Sequence, residues 1–353
     1  MKSASMFQPW CLGLLAASAG MAVSFAAAAQ GGPSFAGKSI NVTVGFESGS
    51  RADLYARTLM GTLRRHLPGQ PNIIVLNRPG AGGVVSLNDW VTKAEPDGLN
   101  VAVGAQTQVD PDALARTHAR YKPSQLRYLG GLVAASQGLF INKAALPRLH
   151  DKGAQPVTMG MVGSSLRTGY YQALWGAAFL GWHVKWVPGY QSTAEARGAL
   201  ERGEVDMSAF GTSSDVDYLL NTGTIGLLSQ TGVLIDGKLV SRPAFSGAPE
   251  ISALVKGKIK DPLAQRTFDY SEKIVQVGMW VALPPKTSDA ILAAYVKAFE
   301  ETVKDPAYRE PWSKIDPDSP VVHKAELEKL MDDIGGVSPD VLEFIQTELK
   351  RQM

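Results

Sequence analysis

GPSFAGKSINVTVGFESGSRAD, Gly32 to Asp53, is the stretch whose reading decides the fold. Its first eight residues fit the phosphate-loop template of Gly, four residues, Gly, Lys and Ser. That template works when a glycine loop follows a strand and opens a helix, aiming backbone N–H groups at phosphates. Here the order is reversed. The alternating, β-branched INVTVGF, Ile40 to Phe46, comes after the glycines and reads as a strand. It runs into a polar loop, Glu47 to Ser50, and then into a helix with Ala52, Ala56, Met60, Leu63 and Leu67 at three- and four-residue spacing. The unit is strand, loop, helix, and the phosphate-loop match is accidental. A second near match, Gly232 to Leu239, has Leu where a magnesium-ligating hydroxyl is needed.

Upstream, Lys2 precedes an apolar, Ala-rich run from Trp10 to Ala29 that ends in small residues, the pattern of a secretory signal peptide over residues 1–29. A transmembrane helix is the alternative, but the run is short for a span and no charged stop-transfer flank follows it. Cleavage would leave GPSFAGKS as a frayed mature end. The single cysteine, Cys11, falls inside the run, so neither disulfide nor thiol chemistry is expected after cleavage. A net charge of +2 on 353 residues gives no argument for nucleic acid or an anionic membrane surface. Roughly 320 remaining residues bury a large core and suit two domains.

Downstream the rhythm repeats. Strand Asn72 to Leu76, loop Asn77 to Gly83 and a helix with Val84, Leu87, Val91 and Ala94 on one face lead through Pro96-Asp97-Gly98 to strand Leu99 to Val103. A second set follows Leu139: strand Pro156 to Met161, polar loop Gly163 to Thr168, an aromatic-rich helix, and strands Val184 to Val187 and Val205 to Phe210 around a helix Ser192 to Arg202. Gly278 to Pro285 reads as a late strand before an amphipathic helix Asp289 to Lys304 and two further helical stretches. This alternation predicts an α/β protein whose mostly parallel sheets are flanked by helices. Ligands then bind where loops leave the carboxyl ends of the strands. The candidate loops are Phe46 to Asp53, Asn77 to Gly83, Gly104 to Gln108, Gly163 to Thr168 and Phe210 to Asp215.

Reactive constellations are missing. The histidines are scattered without metal-ligand spacing, and no Gly-x-Ser-x-Gly elbow occurs. Asp110 and Asp112 look like an acid pair, yet Asp before Pro at a helix start is more simply a cap. What remains suits holding an anion: helix N-termini, the hydroxyls of Ser48, Ser50, Ser164, Ser165 and Thr168, and two arginines able to pair with carboxylates. For Arg51 and Arg167 the competing reading is a solvated surface residue or an ion pair, with Glu47 available to Arg51. Most aromatics of the second set read as core. Tyr170, just behind the polar loop, is the exception.

GFESGSRAD, NRPGAGG (Asn77 to Gly83) and Pro96-Asp97-Gly98 resemble the extracytoplasmic solute-binding proteins of tripartite tricarboxylate transporters, the Bug or TctC-like family. The resemblance continues through DPDALARTHARYKPSQLRYLGGLVA, GSSLRT, ERGEVDMSAF, LLSQTG and MWVALPPKTSDAILAAYVKAFEETVKDPAYR. It implies a two-lobed type II periplasmic binding protein fold, with one lobe at 38–137 plus 280–353, the other at 138–279, and crossing strands near Gly138 and Gly278. It implies capture of a small carboxylated solute by hinge closure for membrane permease subunits, with no cofactor, no metal and no catalysis, in a periplasmic monomer.

Carried over position by position, the ligand contacts fall on Phe46, Ser48, Gly49, Ser50, Arg51 and Asp53, on Gln106 and Thr107, on Gly163, Ser164, Ser165, Arg167, Thr168 and Tyr170, and on Gly211 and Thr212. This chain departs from the family pattern in loop one, where Glu47 to Arg51 replaces small residues and Gly-Gly. It departs again at Gly169, where a His is common, and at VPGYQS, Val187 to Ser192. Two extra arginines suit a second carboxylate, so a dicarboxylate is expected. A sensory role beside a membrane receptor, and a secreted enzyme using Asp53, Glu47 or a serine, are the alternatives.

Overall fold

The computed structural model describes residues 32–162, 169–211, 213–235, 238–245, 247–317 and 319–353. Residues 1–31, with the expected signal peptide, lie outside them.

Strand β1 (Ser39–Val44) buries Ile40, Val42 and Val44 completely, as alternation requires when one face of a strand meets helices. Helix α1 (Arg51–His66) follows, capped by Ser50, whose hydroxyl accepts from the Asp53 amide at 3.3 Å. Its first turn is acidic and its last turn basic, which suits the helix dipole. Then come β2 (Asn72–Asn77), α2 (Val84–Lys93), β3 (Asn100–Ala105), α3 (Pro111–Arg116) and β4 (Arg127–Val133). The second region holds β5 (Gly138–Asn142), β6 (Val157–Val162), α4 (Tyr171–Phe179), β7 (Val184–Tyr190), α5 (Thr193–Glu201), β8 (Met207–Phe210), α6 (Ser213–Asn221) and β9 (Ile225–Gln230). A hairpin of β10 (Val233–Ile235) and β11 (Lys238–Val240) precedes α7 (Ile251–Val255) and α8 (Pro262–Ile274). The chain closes with β12 (Val277–Leu283), α9 (Asp289–Thr302), α10 (Pro306–Ile315), β13 (Val321–His323), α11 (Lys324–Gly335) and α12 (Pro339–Gln352).

Beside the two-stranded β10–β11 hairpin, the described residues form two large sheets, in the orders β13-β4-β12-β3-β1-β2 and β7-β6-β8-β5-β9. The expected parallel pairings are present at β1–β2, β1–β3, β6–β7 and β6–β8. The sheets are nonetheless mixed, because β12 pairs antiparallel with both β3 and β4, and β5 pairs antiparallel with β8 and β9. Both strands carry the chain out of one sheet and into the other, and each enters against the direction of its neighbours. The two crossings touch: the Ala134 amide donates to the Gln276 carbonyl at 2.8 Å. At Gly278 a Cβ would stand 2.5 Å from the Leu132 carbonyl oxygen and 2.8 Å from the Ala134 nitrogen, so only glycine admits this approach.

One expectation needs correction. The segment before β1 is anchored: Phe35 is buried, sits edge-on to Tyr295 at 5.5 Å between ring centres, and its amide donates to the Pro68 carbonyl. The C-terminal helix α12 touches elements from both regions of the chain. The Gln352 amide group donates to the Leu174 carbonyl at 3.1 Å, Arg266 pairs with Asp340, and Gln346 donates to Asp112 at 2.7 Å, so α12 rests on α4, α8 and α3 together. The capping reading of Asp110 holds, since its carboxylate accepts from the Asp112 amide at 3.0 Å and from the Tyr270 hydroxyl at 2.7 Å.

Candidate ligand-binding cleft

Loop one, from Phe46 to Asp53, is shaped from within by a buried carboxylate. Asp53 accepts from the Gly49 amide at 2.8 Å, from Arg57 Nε at 3.1 Å and from Asn77 Nδ2 at 3.0 Å, while Asn77 also donates to the Phe46 carbonyl at 3.1 Å. Burial works to raise its pKa, but the hydrogen bonds from Arg57, Gly49 and Asn77 outweigh it and hold the carboxyl below the ordinary aspartate range. Asp53 therefore braces the loop and does not line the cleft. Ser48 and Gly49 are exposed, Ser50 is spent on its cap, and none of the three faces the cavity.

The loops after β2 and β3 are tied together where Thr107 Oγ1 donates to the Gly82 carbonyl at 2.6 Å. Across the cleft, the Val162 amide donates to the Tyr170 hydroxyl oxygen at 2.7 Å, joining the end of β6 to the start of α4. The Gly211 carbonyl accepts from Arg242 Nη1 at 2.5 Å, and a Cβ at Gly211 would strike the Gln137 amide nitrogen at 1.8 Å.

These loops enclose a cavity of about 860 Å³ between the two sheets. Of the sequence-expected contacts, Phe46, Arg51, Gln106, Thr107, Tyr170 and Gly211 line it. Gly163, Ser164, Ser165, Arg167, Thr168 and Thr212 lie outside the described residues. Sequence reasoning missed the crossing residues Ala134, Ala135 and Gln137, Thr193 behind β7, and the segment Lys314 to Pro317 behind α10. The crossing residues follow from the two-sheet topology. Lys314 to Pro317 carries no local motif and reaches the site only through tertiary packing of α10 on α1, where Tyr55 meets Trp312 at 5.2 Å between ring centres.

Among the described lining residues, two cations are matched by two carboxylates. Arg51 and Lys314 face Asp215 and Asp316 across the lining. Arg51 does not pair with Glu47. Its Nε donates to Asp316 Oδ2 at 2.8 Å, Nη2 donates to the same oxygen, and Nη2 also donates to Ser319 Oγ at 2.7 Å. Asp215 pairs with Arg197. Among the described residues no group of three His, Cys, Asp or Glu side chains gathers as a metal site would require.

No family model matches the chain, and no curated protein does. Solved structures do. A TctC solute-binding protein from Polaromonas is 16% identical with a TM-score of 0.64, over 89% of this chain and 98% of that one. An R. palustris protein with adipate is 17% identical with a TM-score of 0.60, over 87% and 97%. MatC from Rhodopseudomonas palustris with bound malate is 18% identical with a TM-score of 0.57, over 86% and 98%. At such identities the likeness is one of fold, and it extends over nearly the whole of each neighbour. The chain therefore has the two-sheet α/β fold of the TctC solute-binding proteins.

Proposed function

We propose that this protein captures a small organic acid, with a dicarboxylate favoured, between two lobes and presents it to the membrane permease of a tripartite tricarboxylate-type transporter. The observation that carries this reading is the 860 Å³ cavity at the place where the chain crosses between sheets, lined from both sides by loops at the carboxyl ends of strands. A ligand held there makes contacts with both lobes only when they close on it, so binding shifts the population toward the closed form that a permease would recognise. The lobes of this proposal are 38–137 with 280 onward and 138–279, hinged at the touching crossings.

Loop one and the 163–168 segment are the proposed carboxylate seats, with Arg167 the proposed cation of the second lobe. The proposed setting is the periplasm. Among the described residues no helix is long and apolar enough to cross a membrane.

The test is a thermal-melt panel of mono-, di- and tricarboxylates on the chain stripped of ligand by unfolding and refolding, followed by calorimetry. An acid at one hundred times its dissociation constant adds about 2.7 kcal/mol of stability, a readily detected shift. A selective hit among the acids is the expected result. Stabilisation by neutral solutes with none by any acid would overturn the ligand class.

A further inference from the structure

The cation that loop one offers to the cleft already holds a carboxylate of its own chain. Arg51 at the start of α1 and Asp316 just past α10 are 265 residues apart, and both line the cavity. Two guanidinium nitrogens converge on Asp316 Oδ2, and Ser319 Oγ takes a further hydrogen bond from Nη2. The Arg51 side chain is 39% exposed toward the cleft, whereas that of Asp316 is 9% exposed. A carboxylate oxygen of a ligand could accept from the same two donors. The guanidinium edge that Asp316 covers seats one anion at a time.

We infer that Asp316 is a built-in competitor at the Arg51 anion seat, so that the second carboxylate of a dicarboxylate enters by displacing Asp316, and Asp316 sets the discrimination between mono- and dicarboxylates. The inference rests on the organic-acid reading of the cleft. Exchanging one carboxylate for another at a single guanidinium cancels part of the attraction, so the wild-type cleft prefers a dicarboxylate by less than an uncommitted guanidinium would allow. Without Asp316 the same guanidinium meets the second carboxylate with no anion to displace, and the whole charge-assisted pair counts toward binding.

The probes are succinate and butyrate, matched in length and differing by one carboxylate. Calorimetry measures both against the full chain in four forms: wild type, Asp316→Ala, Asp316→Asn, and Asp316→Ala combined with Arg51→Ala. The succinate-to-butyrate affinity ratio should rise tenfold or more in Asp316→Ala. It should rise partway in Asp316→Asn, where a neutral amide oxygen still accepts from Arg51, and should return to the wild-type ratio or below when Arg51 is also removed. If Asp316→Ala does not fold, Asp316→Asn decides. A ratio within twofold of wild type in the folded variant overturns the inference and leaves the organic-acid reading standing. Failure of both acids, and of every other acid in the panel, to bind any form overturns that reading and the inference together.

Discussion

The Val162 amide donates to the hydroxyl oxygen of Tyr170 at 2.7 Å, so one phenol clamps the two ends of the polar segment between β6 and α4. The hydroxyl is buried, and its loss leaves a buried amide without its acceptor. Tyr170→Phe should cost about 1–3 kcal/mol of stability. It should also weaken acid binding severalfold as the segment's ends loosen, read by urea unfolding and by calorimetry on the best acid. Lowered stability with unchanged affinity would make Tyr170 a purely structural clamp.

Asp53 braces loop one from below. Asp53→Asn should cost roughly 2 kcal/mol at pH 7, the scale of a buried hydrogen-bonded charge. The sign of the pH dependence follows from a folded-state pKa held below the unfolded value. The Asp53 contribution is complete above the unfolded pKa of about 3.9 and is lost as pH falls through the folded pKa. Denaturation at pH 7 and pH 3 should therefore show a large gap between wild type and variant that shrinks in acid. A gap independent of pH would assign the cost to packing instead.

Gly278 sits at the crossing, with backbone atoms of Leu132, Val133 and Ala134 all within 2.8 Å of a modest side chain's first carbon. None of these is the flexible end of a side chain, so the backbone itself must move. Gly278→Ala should destabilise by about 1–3 kcal/mol and should alter closure, seen as a changed ligand-induced compaction in small-angle scattering. Wild-type stability in this variant would show that the crossing tolerates separation.

Much of the first half was legible in the sequence because β1, α1 and α2 advertise a buried face by period, while β2 and β3 are short apolar runs between turn signals. Strand β4 was not, since Gly130 and Gly131 erase its alternation. The structure shows why Gly131 is needed there: a Cβ would lie 2.0 Å from the Met279 carbonyl oxygen of the neighbouring crossing strand. Helix α8 escaped notice for a different reason. Its buried face mixes Thr267 and Ser271 with Phe268 and Ile274, and their hydroxyls are satisfied by the helix's own carbonyls. Within the cleft, the loops that hold Phe46, Gly82, Gln106 and Gly211 could be named because strand ends announce them, while the 163–168 loop lies outside the described residues. The partner of Arg51 could not, because nothing local marks Asp316.

Glu272, on α8, is pushed up to about 8 by burial, with Glu250 and Asp269 nearby adding repulsion. Its Oε2 is buried and has no hydrogen-bond partner among the described residues. The folded state therefore keeps a proton that the unfolded chain releases near pH 4.3. Stability should fall as pH rises from that value to about 8 and level off above it. Glu272→Gln should remove that slope, leaving melting temperatures near wild type in mild acid and raising them by several degrees at pH 9. Equal melting temperatures for both forms at pH 9 would show that the carboxyl finds water in the folded state.

The position of β12 sets an order of events. This strand lies in the middle of the first sheet, between β3 and β4, and the Trp280 indole reaches the Ala105 carbonyl across 175 residues of chain. The first sheet is thus cut in two until nearly the last quarter of the polypeptide is present, whereas the second draws all its strands from one continuous stretch. Loop closure over such a distance is slow and costs entropy before any contact repays it. A nascent chain built this way should form its second sheet first and complete its first sheet only after β12 has been made.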